Sequence, residues 1–279
     1  GRTTAAGFQS TPGSCFGWRR WSLQVRGGYS SLIGCFLTIT GLYIGARQWM
    51  RARRAQRWSP YEGFLWWHHV LSLIFGLFTL SFVMSGLFSM NPWGLFVNDR
   101  AATERRNLAG APLAGLVVRG SLAALPDAQL PPGIVSLRSA PLDGQLYFVA
   151  SDLKGTRIRL DVTGEPAPMS DTEWQWIGDA LASSSHNARP ERITSEDDYY
   201  FSHHRDIVQL PAYRLVLNDS ERTRYYFDAV SGEILAKVDA GARGYRWWHQ
   251  ALHRWDFSPG LRARPWWDFI MLVLMGGVS

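Results

Sequence analysis

Of the seven histidines in this 279-residue chain, six fall in close pairs: His68 with His69, His203 with His204, and His249 with His253. A neutral imidazole nitrogen can ligate a metal ion or haem iron, and at a lipid edge an imidazole can instead hydrogen-bond headgroups or cap a helix. His68 and His69 stand at the lip of "YEGFLWWHHVLSLIFGLFTLSFVMSGLF", residues 61–88. Neighbours on a helix point about 100° apart, so only one of the two can face inward. "WWHQALHRW" sets His249 and His253 four apart, on one face of an expected interfacial helix. In "SHHRD", His203 and His204 would point to opposite faces of a strand, and a solvated or structural role is expected there ahead of a divalent metal. "SEDDYY" reads as a capped, solvated loop, because Asp197 and Asp198 lack a supporting histidine or nucleophile motif. No Gly-rich phosphate loop, nucleophile elbow or HExxH motif occurs.

The elements that must position the outer histidine pairs are apolar. Val70 to Phe88 is a run of nineteen residues without a formal charge. A helix of about 20 residues crosses the roughly 30 Å hydrocarbon core, so this run predicts a transmembrane helix. A second candidate lies upstream in "YSSLIGCFLTITGLYIGA", residues 29–46, where Gly41 and Gly45 make a small-xxx-small step suited to a close helix neighbour. "RPWWDFIMLVLMGGVS" opens a third, but only about fourteen residues follow before Ser279, too few to span. Between the first two spans "RQWMRARRAQRW", residues 47–58, carries five arginines and no acid, the kind of loop that stays in the cytoplasm. The chain is thus expected to divide into an N-terminal flank (1–28), a first span (29–46), a cytoplasmic Arg-rich loop (47–60), a second span (64–90), a periplasmic region (91–244), an interfacial helix (245–257) and the start of a truncated span (265–279). The lipid bilayer is then a partner, and the region beyond the second span is extracytoplasmic, in the periplasm if the cell is a Gram-negative bacterium.

Charge agrees with this division. Residues 91–265 hold 20 Lys or Arg against 21 Asp or Glu, net −1, whereas the remainder holds 9 against 2, net +7. The basic excess belongs to the membrane part, and no basic stripe interleaves with aromatics in the soluble part, which excludes nucleic acid as a partner. Trp pairs at 66–67, 247–248 and 266–267 flank the expected spans, where amphipathic rings favour the headgroup layer. Cys15 and Cys35 form neither a disulfide framework nor a thiolate metal site. "GRTTAAGFQSTPGSCFGWRRW" lacks the apolar stretch of a signal peptide.

The soluble region contains an echo. "RIRLDVTGE" (157–165) and "RYYFDAVSGE" (224–233) share a strand, an Asp, a Thr-Gly or Ser-Gly turn and a Glu, with one residue inserted in the second copy. Strand-like runs precede each, with Asp143-Gly144 as hairpin turn chemistry. "DTEWQWIGDALASS" predicts a helix capped by Asp171 or Thr172, and "APLAGLVVRGSLAAL" a weaker one. The fold class is therefore α-helical transmembrane spans plus an extracytoplasmic α+β domain of two helix-on-antiparallel-sheet modules, about 110–168 and 171–240. A single irregular α+β domain with an accidental echo is the alternative.

The order of the Arg-rich loop, "WWHHVLSLIFGLF", "SGLFSMNPW", "DDYYFSHHRDIVQLP", "YYFDAVSGEILAKVD" and "RWWHQALHRWDF" to "RPWWDF" resembles the PepSY-associated transmembrane proteins of bacterial inner membranes, from about residue 29 to the end. The resemblance implies periplasmic PepSY modules inserted between membrane helices and, by likeness to haem-containing ferric-siderophore reductases, haem b as cofactor and a ferric siderophore as electron acceptor. His69, His253, His68 and His249 are then the candidate axial ligands. Two ligands of one haem must approach from opposite sides, so each needs a partner on another helix. Two other readings stand beside this one: a non-enzymatic module binding a periplasmic peptide or peptidase at a sheet edge, and a structural membrane subunit whose histidines are interfacial anchors.

Overall fold

The computed structural model describes residues 14–91, 94–96, 101–110, 130–182, 189–202 and 207–278. In chain order its elements are α1 (Ser14–Arg54), α2 (Gly63–Ser89), α3 (Ala102–Ala109), β1 (Ile134–Ser139), β2 (Phe148–Asp152), β3 (Arg157–Leu160), α4 (Asp171–Leu181), β4 (Glu191–Ile193), β5 (Ala212–Val216), β6 (Arg224–Asp228), β7 (Ile234–Val238), α5 (Ala240–Tyr245), a π-helical turn (Arg246–Ala251), α6 (Leu252–Arg254), α7 (Pro259–Arg262) and α8 (Trp266–Val278). They divide into a helical unit, 1–95 with 244–279, and an α+β unit, 96–243.

Two stretches of the helical unit, Gly28–Arg54 and Gly63–Ser89, are long and apolar enough to cross a membrane. Their Ser and Thr side chains are tolerated because they bond back to carbonyls of the preceding turn, as Thr38 Oγ1 does to Gly34 O (2.8 Å) and Thr79 Oγ1 to Phe75 O (3.2 Å). Glycine lets α1 and α2 approach, though not quite where the sequence pattern places it. A Cβ on Gly34 would meet Val83 at 3.0 Å, one on Gly45 would meet Leu73 at 3.3 Å, and one on Gly76 would run into Leu42, whereas Gly41 faces open space. The Arg-rich stretch is not a loop from residue 47. α1 continues to Arg54 before the chain turns at Gln56 (φ 57°), because Arg, Gln, Met and Ala are good helix formers and cations suit a helix C-terminus. The expected interfacial helix likewise starts earlier, at Ala240, and contains the π turn. α8 has thirteen residues, short of a span.

The α+β unit holds two antiparallel sheets, β1-β2-β3 and β4-β5-β6-β7. α4 packs Trp174 and Ile177 against Leu215, Phe227 and Ile234 of the four-stranded sheet, with Trp174 stacked on Tyr213 at 4.0 Å between ring centroids. Its N-cap is Ser170, in a reciprocal capping box with Glu173, and neither Asp171 nor Thr172 caps. The opposite face of that sheet buries Tyr226, stacked on Tyr200 at 4.8 Å, among Ile193, Ala212 and Val238. Phe148, Ala150 and Leu160 form the core face of the three-stranded sheet. The expected helix over 111–125 lies outside the described residues.

The echo is a shared turn. In each copy the Asp amide donates to the Glu carbonyl (Asp161 to Glu165 and Asp228 to Glu233, both 2.9 Å), the Asp carboxylate accepts a turn amide, and the glycine has positive φ, 90° at Gly164 and 72° at Gly232. Gly164→Val is expected to cost about 1 kcal/mol or more for backbone strain alone. Gly232→Val should cost more, because its Cβ would meet Met169 at 2.9 Å and Ile177 at 3.2 Å. Urea unfolding of both variants checks the order, and equal losses would contradict it. Asp143 and Gly144 also have positive φ, 49° and 70°, as a two-residue hairpin turn requires.

The loop around 194–198 is exposed and capped, as expected, but the Asp197 side chain that caps it is partly buried, 20 % exposed. Its carboxylate accepts from Tyr226 Oη (2.7 Å), the amides of Tyr199 and Tyr200 (both 2.8 Å) and Arg214 (3.2 Å), while Asp198 is exposed and no acid/base pair forms. Burial would raise the Asp197 pKa, but those hydrogen bonds outweigh it and hold the carboxyl below its ordinary value. A folded pKa below the unfolded one contributes stability that is full above about pH 4 and is lost as pH falls through the folded value. Acid unfolding of the α+β unit should therefore become less steep in Asp197→Asn, and an unchanged pH profile would refute this role.

Candidate functional site

The outer histidine pairs sit at two places in the helical unit. His68 and His69 open α2, and the structure separates them as helical phase requires: His68 is exposed and His69 is buried, 6 % accessible. Gly45 on α1 leaves room for the His69 ring. His69 Nε2 lies 3.1 Å from Gly45 O, which can only accept, so Nε2 carries the proton. Nδ1 then accepts from the Ser59 hydroxyl at 3.0 Å, whose oxygen takes the Tyr61 amide at 3.2 Å. The edge of the Tyr61 ring closes the seat at 5.4 Å. Both His69 nitrogens are thus engaged, and ligation through Nε2 would require breaking the bond to Gly45. His68 has no hydrogen-bond partner among the described residues.

His249 and His253 differ. Both rings converge on one residue of α2, Ser85, which is fully buried. His249 Nδ1 lies 2.9 Å from Ser85 O, so it must donate. Ser85 Oγ donates to Phe82 O (2.8 Å), which leaves that oxygen to accept from His253 Nδ1 at 3.1 Å. In both imidazoles the proton is fixed on Nδ1, and Nε2 keeps its lone pair with no hydrogen-bond partner among the described residues. That is the state in which a histidine ligates, with the second nitrogen oriented by a protein acceptor. The rings lie 5.4 Å apart, and His253 stacks on Phe82 at 4.4 Å. Burial first, then His249 and Arg254, push the His253 pKa below the ordinary imidazole value, which keeps the ring neutral.

This seat is held from behind. Arg246 Nη1 and Nη2 grip Asp256 Oδ1 and O, each at 2.8 Å, with the two side chains 6 % and 5 % exposed. Trp255, at φ 54°, turns the chain between them and donates its indole N–H to Ser81 Oγ at 3.0 Å. Ser81, Ser85, Arg246 and Asp256 escaped the sequence reading. The signal was there for the serines: hydroxyls four apart in an apolar helix mark a face that needs polar partners.

The residues fit the donor set of a haem ligand at His249 and His253 better than at His69. Among the described residues no three His, Cys, Asp or Glu side chains gather as a metal site. His203 and His204 lie outside the described residues. No family model, characterised protein or solved structure matches this chain.

Proposed function

We infer that this is an inner-membrane electron-transfer protein of the PepSY-associated kind, with α1 and α2 as spans, the arginine-rich end of α1 in the cytoplasm and the α+β unit in the periplasm. The observation that carries the reading is the pair of imidazoles anchored through Nδ1 on Ser85, both with Nε2 open, beside an apolar helix. Haem b, when bound, would supply one-electron chemistry towards an acceptor such as a ferric siderophore. The chain's own work is to hold the His253 imidazole neutral, fix the tautomer of both rings and brace the seat with Phe82 and Trp255. Since both rings lie on one side, one of them would hold the haem, with a second ligand supplied by another helix. His253 is the favoured one, because its ring is clamped by both Ser85 and Phe82.

The test is an absorption spectrum of the full-length protein in detergent, supplemented with haem. A Soret band with reducible α and β bands is expected, lost or shifted in His253→Ala and little changed in His68→Ala. His69→Ala is informative in its own right: loss of a second haem would mean that the Gly45 bond yields to iron. A colourless wild type would reject electron transfer. It would leave the peptide-binding reading, for which the edge strand β1, with Val135 57 % exposed, is the support, or that of a structural subunit.

A further inference from the structure

A groove of about 780 Å³ runs between α1 and α2. At one end it is lined by Gln48, Tyr61 and His68, and along its length by apolar side chains such as Leu42, Leu71 and Phe75. From Gln48 to Thr38 it follows ten residues of α1, about 15 Å, which is half the hydrocarbon core and the depth of a single leaflet. Its floor at Gly41 is open, since a Cβ there would meet nothing within 4 Å. The polar end adjoins the arginines. Arg51 stands three residues beyond Gln48 and seven beyond Ile44, so it continues the groove-lining face of the helix. Arg47, Arg51, Arg53, Arg54 and Arg57 are without an ion-pair partner among the described residues, and from residue 14 to 61 the sequence has no acid. Arg53 lies against the rings of Trp49 and Trp58 at 5.6 and 5.3 Å, a cation held at the level where tryptophans meet headgroups.

We propose that this groove is a specific site for one anionic phospholipid, an acyl chain lying along Gly41 and its phosphate meeting Arg51 and Arg47. Charge selects this occupant: a zwitterionic lipid would fill the same groove but leave the arginines uncompensated, whereas each arginine near an anionic headgroup favours it roughly fivefold. The site rests on the membrane reading and does not depend on haem.

Native mass spectrometry of the full chain, released from detergent micelles holding equal phosphatidylglycerol and phosphatidylcholine, tests it. The wild type is expected to retain one phosphatidylglycerol about 25-fold more often than one phosphatidylcholine. Arg51→Gln should cut that preference about fivefold. Gly41→Leu, which extends into open space, should abolish the bound lipid while leaving elution and helical content unchanged. Equal retention of the two lipids, or an undiminished phosphatidylglycerol signal in Gly41→Leu, overturns the site. So does a second protein chain seated in the groove, seen as a dimer mass that Gly41→Leu removes. A chain that stays in solution without detergent overturns the membrane reading instead.

Discussion

Asp228→Ala is expected to destabilise the α+β unit by about 3–5 kcal/mol, the loss typical of breaking one side of a buried charge pair. Asp228 is fully buried at the end of β6, and its Oδ2 takes Arg157 Nη1 of β3 at 2.6 Å, with Arg138 of β1 at 3.9 Å. Oδ1 accepts the Val230 amide, and Ser231 Oγ donates to Oδ2 at 3.2 Å. One carboxylate thus joins the two sheets, and removing it leaves the Arg157 guanidinium, 22 % exposed, without its counter-charge. Asp161, at the equivalent place in the first copy, is the internal control. It accepts from the Thr163 amide and hydroxyl and from the Glu165 amide, but pairs with no arginine among the described residues. Asp161→Ala should therefore cost only about 1 kcal/mol. Hydrogen exchange of peptides covering 224–238 measures both. Similar losses would mean that Asp228 serves its own turn and does not bind the sheets together.

Arg246→Ala or Asp256→Ala should each cost a comparable amount, about 3–5 kcal/mol, in the helical unit, since either removes one side of a buried charge pair. Arg246→Met with Asp256→Leu should recover part of the loss, because two apolar side chains replace the pair without stranding a charge. Denaturation in detergent reads the stability. The double variant is the decisive one: full recovery of stability with a normal haem spectrum would mean that the clamp has no part in seating His249 and His253.

The sequence made some of this arrangement legible. The length and polarity of α2, the split of His68 from His69, and the paired Asp-turn-Gly hairpins arise from periods of 3.6 and 2 and from glycine's φ, all local properties. Ser170 in place of Asp171 as the N-cap is an error of one residue, within the usual slippage of helix ends. The hidden part is whatever depends on partners distant in sequence. Nothing near residue 69 announces Gly45 O, nothing near residue 253 announces Ser85, and the grip of Arg246 on Asp256 needs the left-handed turn at Trp255, a residue type that rarely adopts it. Gly41 and Gly45 illustrate the limit: spacing located a small-residue face, but only packing could tell which glycine meets a neighbour and which opens a groove.

The π turn at Arg246–Ala251 makes the histidine seat a matter of chain length as much as of residue type. A π turn is wider than an α turn, and it ends directly in the three residues that carry His253. Deleting one residue from it would shorten the segment by only about 1.5 Å but rotate the downstream helix by about 100°. His253 would swing off Ser85 and Trp255 off Ser81, even though every side chain that makes the seat were still present. Point substitutions there can be graded by the contacts they remove, whereas a single-residue deletion would undo the whole arrangement, so the segment's length is as much a part of the site as its histidines.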